Sequence, residues 1–269
     1  SEISVRILSF SRAEINRDFF RERLLAAFRK RESLAGTTNA CRLVHAEADD
    51  LPGLVIDDYA GHLVVQINTL GMERLKDLLL PELLELRRPK GIYEKSDAAS
   101  RRHEGLATED RVVHGEIPGR IEIEEMGARF LVNLREGQKT GFFLDQRRNR
   151  RITASHVKPG FDVLDVFAHT GAFGIHAALR GAGRVRIVDV SREALALARE
   201  NMALNGVSGE AVRADAFDFL TEAPGMKDRY DLVILDPPPF ARAKRNAAGA
   251  RKGMRHLIAQ SLRILKPEG

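Results

Sequence analysis

The sequence predicts an α/β fold, a doubly wound and mostly parallel sheet preceded by a small α+β domain. Three observations predict it. From Gly160 onward, apolar runs alternate with amphipathic stretches in repeating βα units. Those runs are near-continuous in apolar character, as in strands covered on both faces. Up to about Arg120 the rhythm differs, with short strands and helices in mixed order. Residues 1–120 and 121–269 are therefore expected to form the two domains.

In chain order, "SVRILSF" is strand-like, and "RDFFRERLLAAFRKRE" carries apolar residues at helical spacing with charges between them. "GLVIDDYAGHLVVQIN" resembles a hairpin with Ala60-Gly61 at its turn. "GMERLKDLLLPELLELR" is a helix that Pro81 is expected to kink or divide. "IEIEEMGARFLVNL" alternates with period two and turns at Met126-Gly127. Next come a strand "FDVLDVF", a helix "GAFGIHAALRG" and a strand "VRIVDV". "SREALALARENMALNG" is a helix with Ser191 as N-cap and Gly206 just past its end. "GEAVRADAFDFL" supplies a strand and a helix start, and "YDLVILD" the last strand.

Composition bounds the function. With 269 residues and 43% hydrophobic content, the chain can bury a real core and fill two domains. Its 43 Lys+Arg against 38 Asp+Glu leave a charge of +5, compatible with a polyanionic partner. One cysteine, Cys41, excludes a disulfide scaffold and fits a reducing cytoplasm. No apolar run approaches the roughly 18 residues of a membrane span, and "SEISVRILSF" lacks a signal-peptide pattern. The histidines show no metal-ligand spacing. The chain starts without Met and stops on the turn signal "LKPEG", so both ends read as cut from a longer protein.

"DLVILDPPPFARAKR" carries the first functional signal. Prolines cannot donate to a sheet ladder, so Pro237–Pro239 belong to a rigid loop beyond the strand. Asp236 is thereby held at the strand's C-terminal edge, where open α/β sheets bind ligands. Asp165, Asp189, Asp215 and Asp236 recur at spacings of about one βα unit, which lines several carboxylates along one rim. Any one of them reads equally well as a helix N-cap; four in register favour a ligand crevice. Gly171 and Gly174 let the backbone turn and approach a ligand at a helix N-terminus. Asp189 is placed to accept ribose hydroxyls, and Asp215 could accept from an adenine amine. NAD would use the glycines and Asp189, but not "DPPPF", and the three-glycine fingerprint is missing. A cofactor with adenosine at one end and an amino-acid group at the other explains more of the rim: S-adenosylmethionine.

"GQKTGFFLDQRRNR", "VLDVFAHTGAFGIHAA", "VDVSREALALARENMALNG" and "DLVILDPPPF" resemble the motifs of class I S-adenosylmethionine-dependent methyltransferases. More narrowly, they resemble the bacterial 23S rRNA cytosine-C5 methyltransferase family. "RLVHAEADDLPGLVIDDY" and "YEKSDAASRRHEGL" are similar to that family's central domain, so the resemblance covers nearly the whole chain. It implies a Rossmann-like methyltransferase sheet behind an RNA-facing α+β domain, with a PUA domain expected before Ser1. It also implies roles. Phe167, Thr170 and Gly171 would take the methionine moiety; Asp189 and Val190 the ribose; Asp215 and Ala216 the adenine edge. Asp236 and Pro237 would line the methyl-transfer pocket, with Asp236 its catalytic residue, and Phe143 and Gln146 would close over the cofactor. The pattern departs at His169, Ala172, Pro239 and Asp50, where the family more often has an aromatic residue, Gly, Lys and Gly.

Cytosine C5 is a poor nucleophile, and its methylation needs a thiolate adding at C6. In the family that cysteine follows the "LKPEG"-type turn, whereas Cys41 reads as a small apolar residue at a strand start. These residues alone are therefore expected to bind cofactor without turning over C5. Cations flank the pocket on both sides: Arg147, Arg148, Arg150 and Arg151, then Arg242, Lys244, Arg245, Arg251, Lys252 and Arg255. Of these, Arg147, Arg150, Arg242, Lys244 and Arg245, with Phe240 for base stacking, are the RNA-binding candidates, and a solvated helix face is the competing reading. The expected partner is large-subunit rRNA, with monomer and homodimer both open. A guanine-directed rRNA methyltransferase, which needs no cysteine, and a non-catalytic RNA-binding module on the same fold are the alternatives.

Overall fold

The computed structural model describes residues 5–96, 99–135, 137, 140–225, 228–239 and 247–269. It divides the chain into two units, Ser1–Gly127 with Leu131–Leu144, and Ala128–Phe130 with Asp145–Gly269.

The first unit holds a five-stranded sheet, β1 (Ala40–His45), β2 (Leu54–Tyr59), β3 (His62–Ile67), β4 (Gly91–Ser96) and β5 (Glu109–Gly115), in that order. Only β3 and β4 pair in parallel. The turn between β2 and β3 puts Ala60 and Gly61 at φ 54° and 89°, as a two-residue hairpin requires. Helix α1 (Arg17–Arg29) starts where the Asn16 side chain accepts from the Phe19 N–H. It buries Phe20, Leu24 and Ala27 in a core shared with Val44, Ile56, Leu79 and Leu83.

Two expectations fail here. Among its described residues, 5–10, "SVRILSF" forms no strand and joins no ladder, and Val5 and Ile7 are 78% and 56% exposed. The divided helix breaks at Leu75, between α2 (Leu70–Arg74) and α3 (Lys76–Arg87), while Pro81 stays inside α3. The break is a tightened turn, in which the Leu75 N–H donates to the Met72 carbonyl.

Lys95 and Arg101 of "YEKSDAASRRHEGL" are used within the unit. Lys95 Nζ donates to the carbonyls of Leu134, Arg135 and Gly137 at 3.1, 3.1 and 2.7 Å. Arg101, in the short helix α4 (Ala99–His103), is buried and donates to Glu73 and to the carbonyls of Ile67 and Ala107. Thr140 donates to Asp57 at 2.6 Å and pairs with the Tyr59 hydroxyl at 2.8 Å. Arg42 grips both oxygens of Asp57. Burial pushes the Tyr59 phenol upward, as does the adjacent Asp57. The next hairpin, β6 (Ile121–Glu125) and β7 (Ala128–Val132), turns at Met126-Gly127. The first unit runs on past Arg120 because Thr38 donates to the Glu124 carbonyl and bridges Glu125.

The second unit is the expected Rossmann-like α/β layer. Its strands β8 (Asp162–Val166), β9 (Arg184–Asp189), β10 (Glu210–Arg213) and β11 (Leu232–Leu235) run parallel in the order β10-β9-β8-β11. Between and around them lie α5 (Arg147–Ser155), α6 (Ala172–Leu179), α7 (Arg192–Leu204), α8 (Ala216–Glu222) and α9 (Ala247–Ile264). Leu164, Val166, Val188, Leu220, Tyr230, Leu257 and Ile264 share one core. Ser191 caps α7 by accepting from the Ala194 N–H, and Gly206 follows its end in the left-handed region. At the N-terminal ends of the strands, Arg184 bridges Asp162 and Asp228, Arg186 bridges Asp228 and Glu210, and Lys266 bridges Asp162 and Asp231. Among the described residues no helix is long and apolar enough to cross a membrane.

Candidate active site

The strand register builds the rim. Val166 pairs with Val188 and with Leu235, so Phe167, Asp189 and Asp236 leave three neighbouring strands at one level. Arg213 lies opposite Asp189, which puts Asp215 just beyond the fourth strand. Asp165 sits one residue inside this edge, in β8.

The loop after β8 has an uncommon backbone. Phe167, His169 and Gly171 all take positive φ, at 64°, 49° and 78°. Only the glycine adopts this region without steric cost. The two others cost about 1–3 kcal/mol each and are held by the surroundings. The holding bonds are visible: Ala168 N–H to Val188 carbonyl, His169 N–H to Asp189 Oδ2 at 2.8 Å, and Gly171 N–H to Ala168 carbonyl. Helix α6 then lies tightly on the sheet. A methyl group on Gly174 would stand 2.8 Å from Ile187 and 3.1 Å from Val185, so no larger residue allows this approach.

Each acid of the rim has its own environment. Asp215 caps α8, accepting from the N–H groups of Phe217 and Asp218, and is exposed. Asp189 accepts from His169 and Ser191 N–H groups. Asp165 is 1% exposed, accepts from Gly174 N–H at 2.9 Å through Oδ2, and its Oδ1 has no hydrogen-bond partner among the described residues. Burial pushes its carboxyl up to about 7, helped by the charges of Asp236 and Asp189. Burial lowers His169, against the pull of Asp189.

At Asp236 the helix α5 contributes. Gln146, preceding α5, reaches Asp236 Oδ1 through its amide nitrogen at 3.5 Å. Asn149 donates to the Gln146 carbonyl oxygen at 2.6 Å and so fixes which end of that amide faces the acid. The sequence reading missed Asn149; its signal was the i,i+3 spacing from Gln146 at a helix start. Beside them opens a cavity of about 310 Å³, lined by Asp236, Gln146, Asn149, Phe173, Ile152 and the strand β11.

The structure thus brings Gln146, Phe167, Thr170, Gly171, Asp189, Asp215, Ala216, Asp236 and Pro237 to the C-terminal side of one sheet. Thr170 and Ala216 are buried, while Val190 is 64% exposed. Phe143 belongs to the first unit, where it is half-buried. Phe240, Arg242, Lys244 and Arg245 lie outside the described residues. Arg150 corrects an expectation. It is 2% exposed with its guanidinium 5.9 Å from the Phe173 ring, so it ties α5 to α6 and does not offer itself to a phosphate. Arg147 is half-buried, and Arg148 and Arg151 are exposed.

The family model described as S-adenosylmethionine-dependent methyltransferase matches residues 102–267. The chain is 44% identical over 278 residues to "Ribosomal RNA large subunit methyltransferase I" of Shewanella denitrificans, covering 100% of this chain and 69% of that protein. It is 41% identical over 277 residues to the protein of the same name from Shewanella amazonensis, with the same coverage. A crystal structure of a protein assigned as a methyltransferase, complexed with SAH, superposes with a TM-score of 0.81. That pair shares 27% identity over 97% of this chain and 68% of the other.

Proposed function

Because the chain belongs to the S-adenosylmethionine-dependent methyltransferase family, we propose that it methylates large-subunit rRNA in the cytoplasm, at C5 of a cytosine. The donor is S-adenosylmethionine, which when bound supplies an electrophilic methyl group. The observation that carries the rRNA reading is the 44% identity, along the whole chain, to a relative named for that activity.

The residues present fit the cofactor. An orphaned buried acid, Asp165, lies among carboxylates beside the N-terminus of α6, and a cationic amino-acid ligand suits that set. Thr170, Gly171 and the first N–H groups of α6 would hold the methionine end. Asp189, followed by Val190, would accept from the ribose hydroxyls, and Asp215 with Ala216 would meet the adenine edge. Asp236, oriented by Gln146 and followed by rigid Pro237, would line the place where the base is held. Arg148 and Arg151 on α5 and Arg251, Lys252 and Arg255 on α9 are exposed, and would follow the RNA phosphates. The target base has to leave its stack, which favours a loop or junction.

C5 chemistry needs a thiolate, and Cys41 packs against the core of the first unit instead. Titration calorimetry with S-adenosylmethionine, with NAD as control, tests the cofactor site. Incubation with unmodified large-subunit rRNA and labelled cofactor, followed by nucleoside mass spectrometry, tests the base. 5-Methylcytidine supports the C5 reading. Methylguanosine would replace the C5 reading with the guanine one. RNA binding without cofactor binding would favour the non-catalytic module.

A further inference from the structure

We propose that Asp165 holds a proton in the cofactor-free protein and releases it to solvent when the cofactor binds, so that one positive charge is exchanged for another. The inference rests on the cofactor reading above.

The geometry carries it. Asp165 lies within β8, sealed from water, with one N–H partner on Oδ2 and, among the described residues, none on Oδ1. Among the described residues, the charged groups that act on it most are Asp236 from beyond β11, Asp189 from β9 and Arg150 from α5; α6 supplies the Gly174 N–H and also carries the buried His176. His169, from the loop after β8, donates its backbone N–H to Asp189, and burial pushes its imidazole down against the pull of that carboxylate. An ionised carboxylate in that position has lost its hydration, gains one hydrogen bond and is flanked by two like charges. Bound protons remove such a cost. S-Adenosylmethionine is a net cation, a sulfonium and an ammonium against one carboxylate, and its arrival does what the proton did. In the exchange the O–H bond of the carboxylic acid breaks, the electron pair stays on the carboxylate and the proton goes to buffer. Burial, which pushes the Asp165 carboxyl up to about 7, places the exchange in the neutral range.

The test is calorimetry of the whole chain with S-adenosylmethionine near pH 6.5, in buffers of high and low ionisation enthalpy, repeated from pH 5.5 to 8.5. Between about half and one proton should leave per cofactor bound. The Kd should tighten by up to about tenfold per pH unit below about pH 7 and level off above about 8. Asp165→Asn should abolish the release and flatten the profile. Binding without proton release, or equal release from Asp165→Asn, would overturn the inference alone. Absence of binding at every pH would instead overturn the cofactor reading, and the inference with it. Should Asp165→Asn fail to fold, infrared difference spectra of the natural chain decide: loss of a carboxylic C=O band on binding supports the exchange, and an unchanged band rejects it.

Discussion

The two ends of the parallel sheet use the same residue type in opposite ways. At the N-terminal ends, Asp162, Asp228 and Asp231 are all bridged by Arg184, Arg186 or Lys266. At the C-terminal ends, Asp165, Asp189 and Asp215 accept from backbone N–H groups, and Asp236 accepts from an amide. Titration follows the partners. Hydrogen bonds from Arg184 and Arg186 hold Asp228 below the usual carboxylate range, whereas burial lifts Asp165 to about 7. One edge is neutralised by the chain itself. At the other, burial and neighbouring carboxylates raise Asp165, a perturbation that clusters at functional sites.

Breaking the contrast most severely means removing the acid next to the cavity. Asp236→Ala should lower kcat/KM for methyl transfer by about 10²–10⁴-fold, read in single-turnover assays. The next largest effect is on stability without cofactor. Asp165 has its folded value raised, so its contribution is complete below about pH 4 and is lost as pH rises to about 7, by at most about 4 kcal/mol. Asp228 has its value lowered, so its contribution is present above the unfolded value and is lost as pH falls through the folded one. Urea midpoints from pH 4 to 8 should therefore separate Asp165→Asn from the natural chain, the mutant lacking the fall between about 4 and 7. Asp189→Asn should weaken S-adenosylmethionine by about ten- to hundredfold, corresponding to about 1.5–3 kcal/mol, measured by calorimetry. At the opposite edge, Arg186→Met should cost about 1 kcal/mol of stability and leave the cofactor Kd within twofold. An equal loss of affinity there would dissolve the distinction between the two edges.

Much of this was readable in the residues. The βα rhythm, the Ser191 cap and the acids after successive strands are local signals, and local signals determine where parallel strands stop. The misreadings have different causes. "SVRILSF" has strand composition but no neighbouring ladder. Pro81 is a helix breaker by propensity, yet the chain breaks at Leu75. Arg150 reads as part of a basic run, although its i,i+4 spacing from buried Ala154 places it on the inward face of α5. Asp215 is both a helix cap and a rim acid, and no sequence pattern separates those roles.

The left-handed residues Phe167 and His169 have a practical consequence. A loop wound against its own preference keeps its shape only while its anchors on Val188, Asp189 and Ala168 hold. On warming, such a loop slackens before the strands part. The temperature at which this protein stops working should thus lie below the temperature at which it melts, and an inactivation curve would report the loop while circular dichroism still reports an intact sheet.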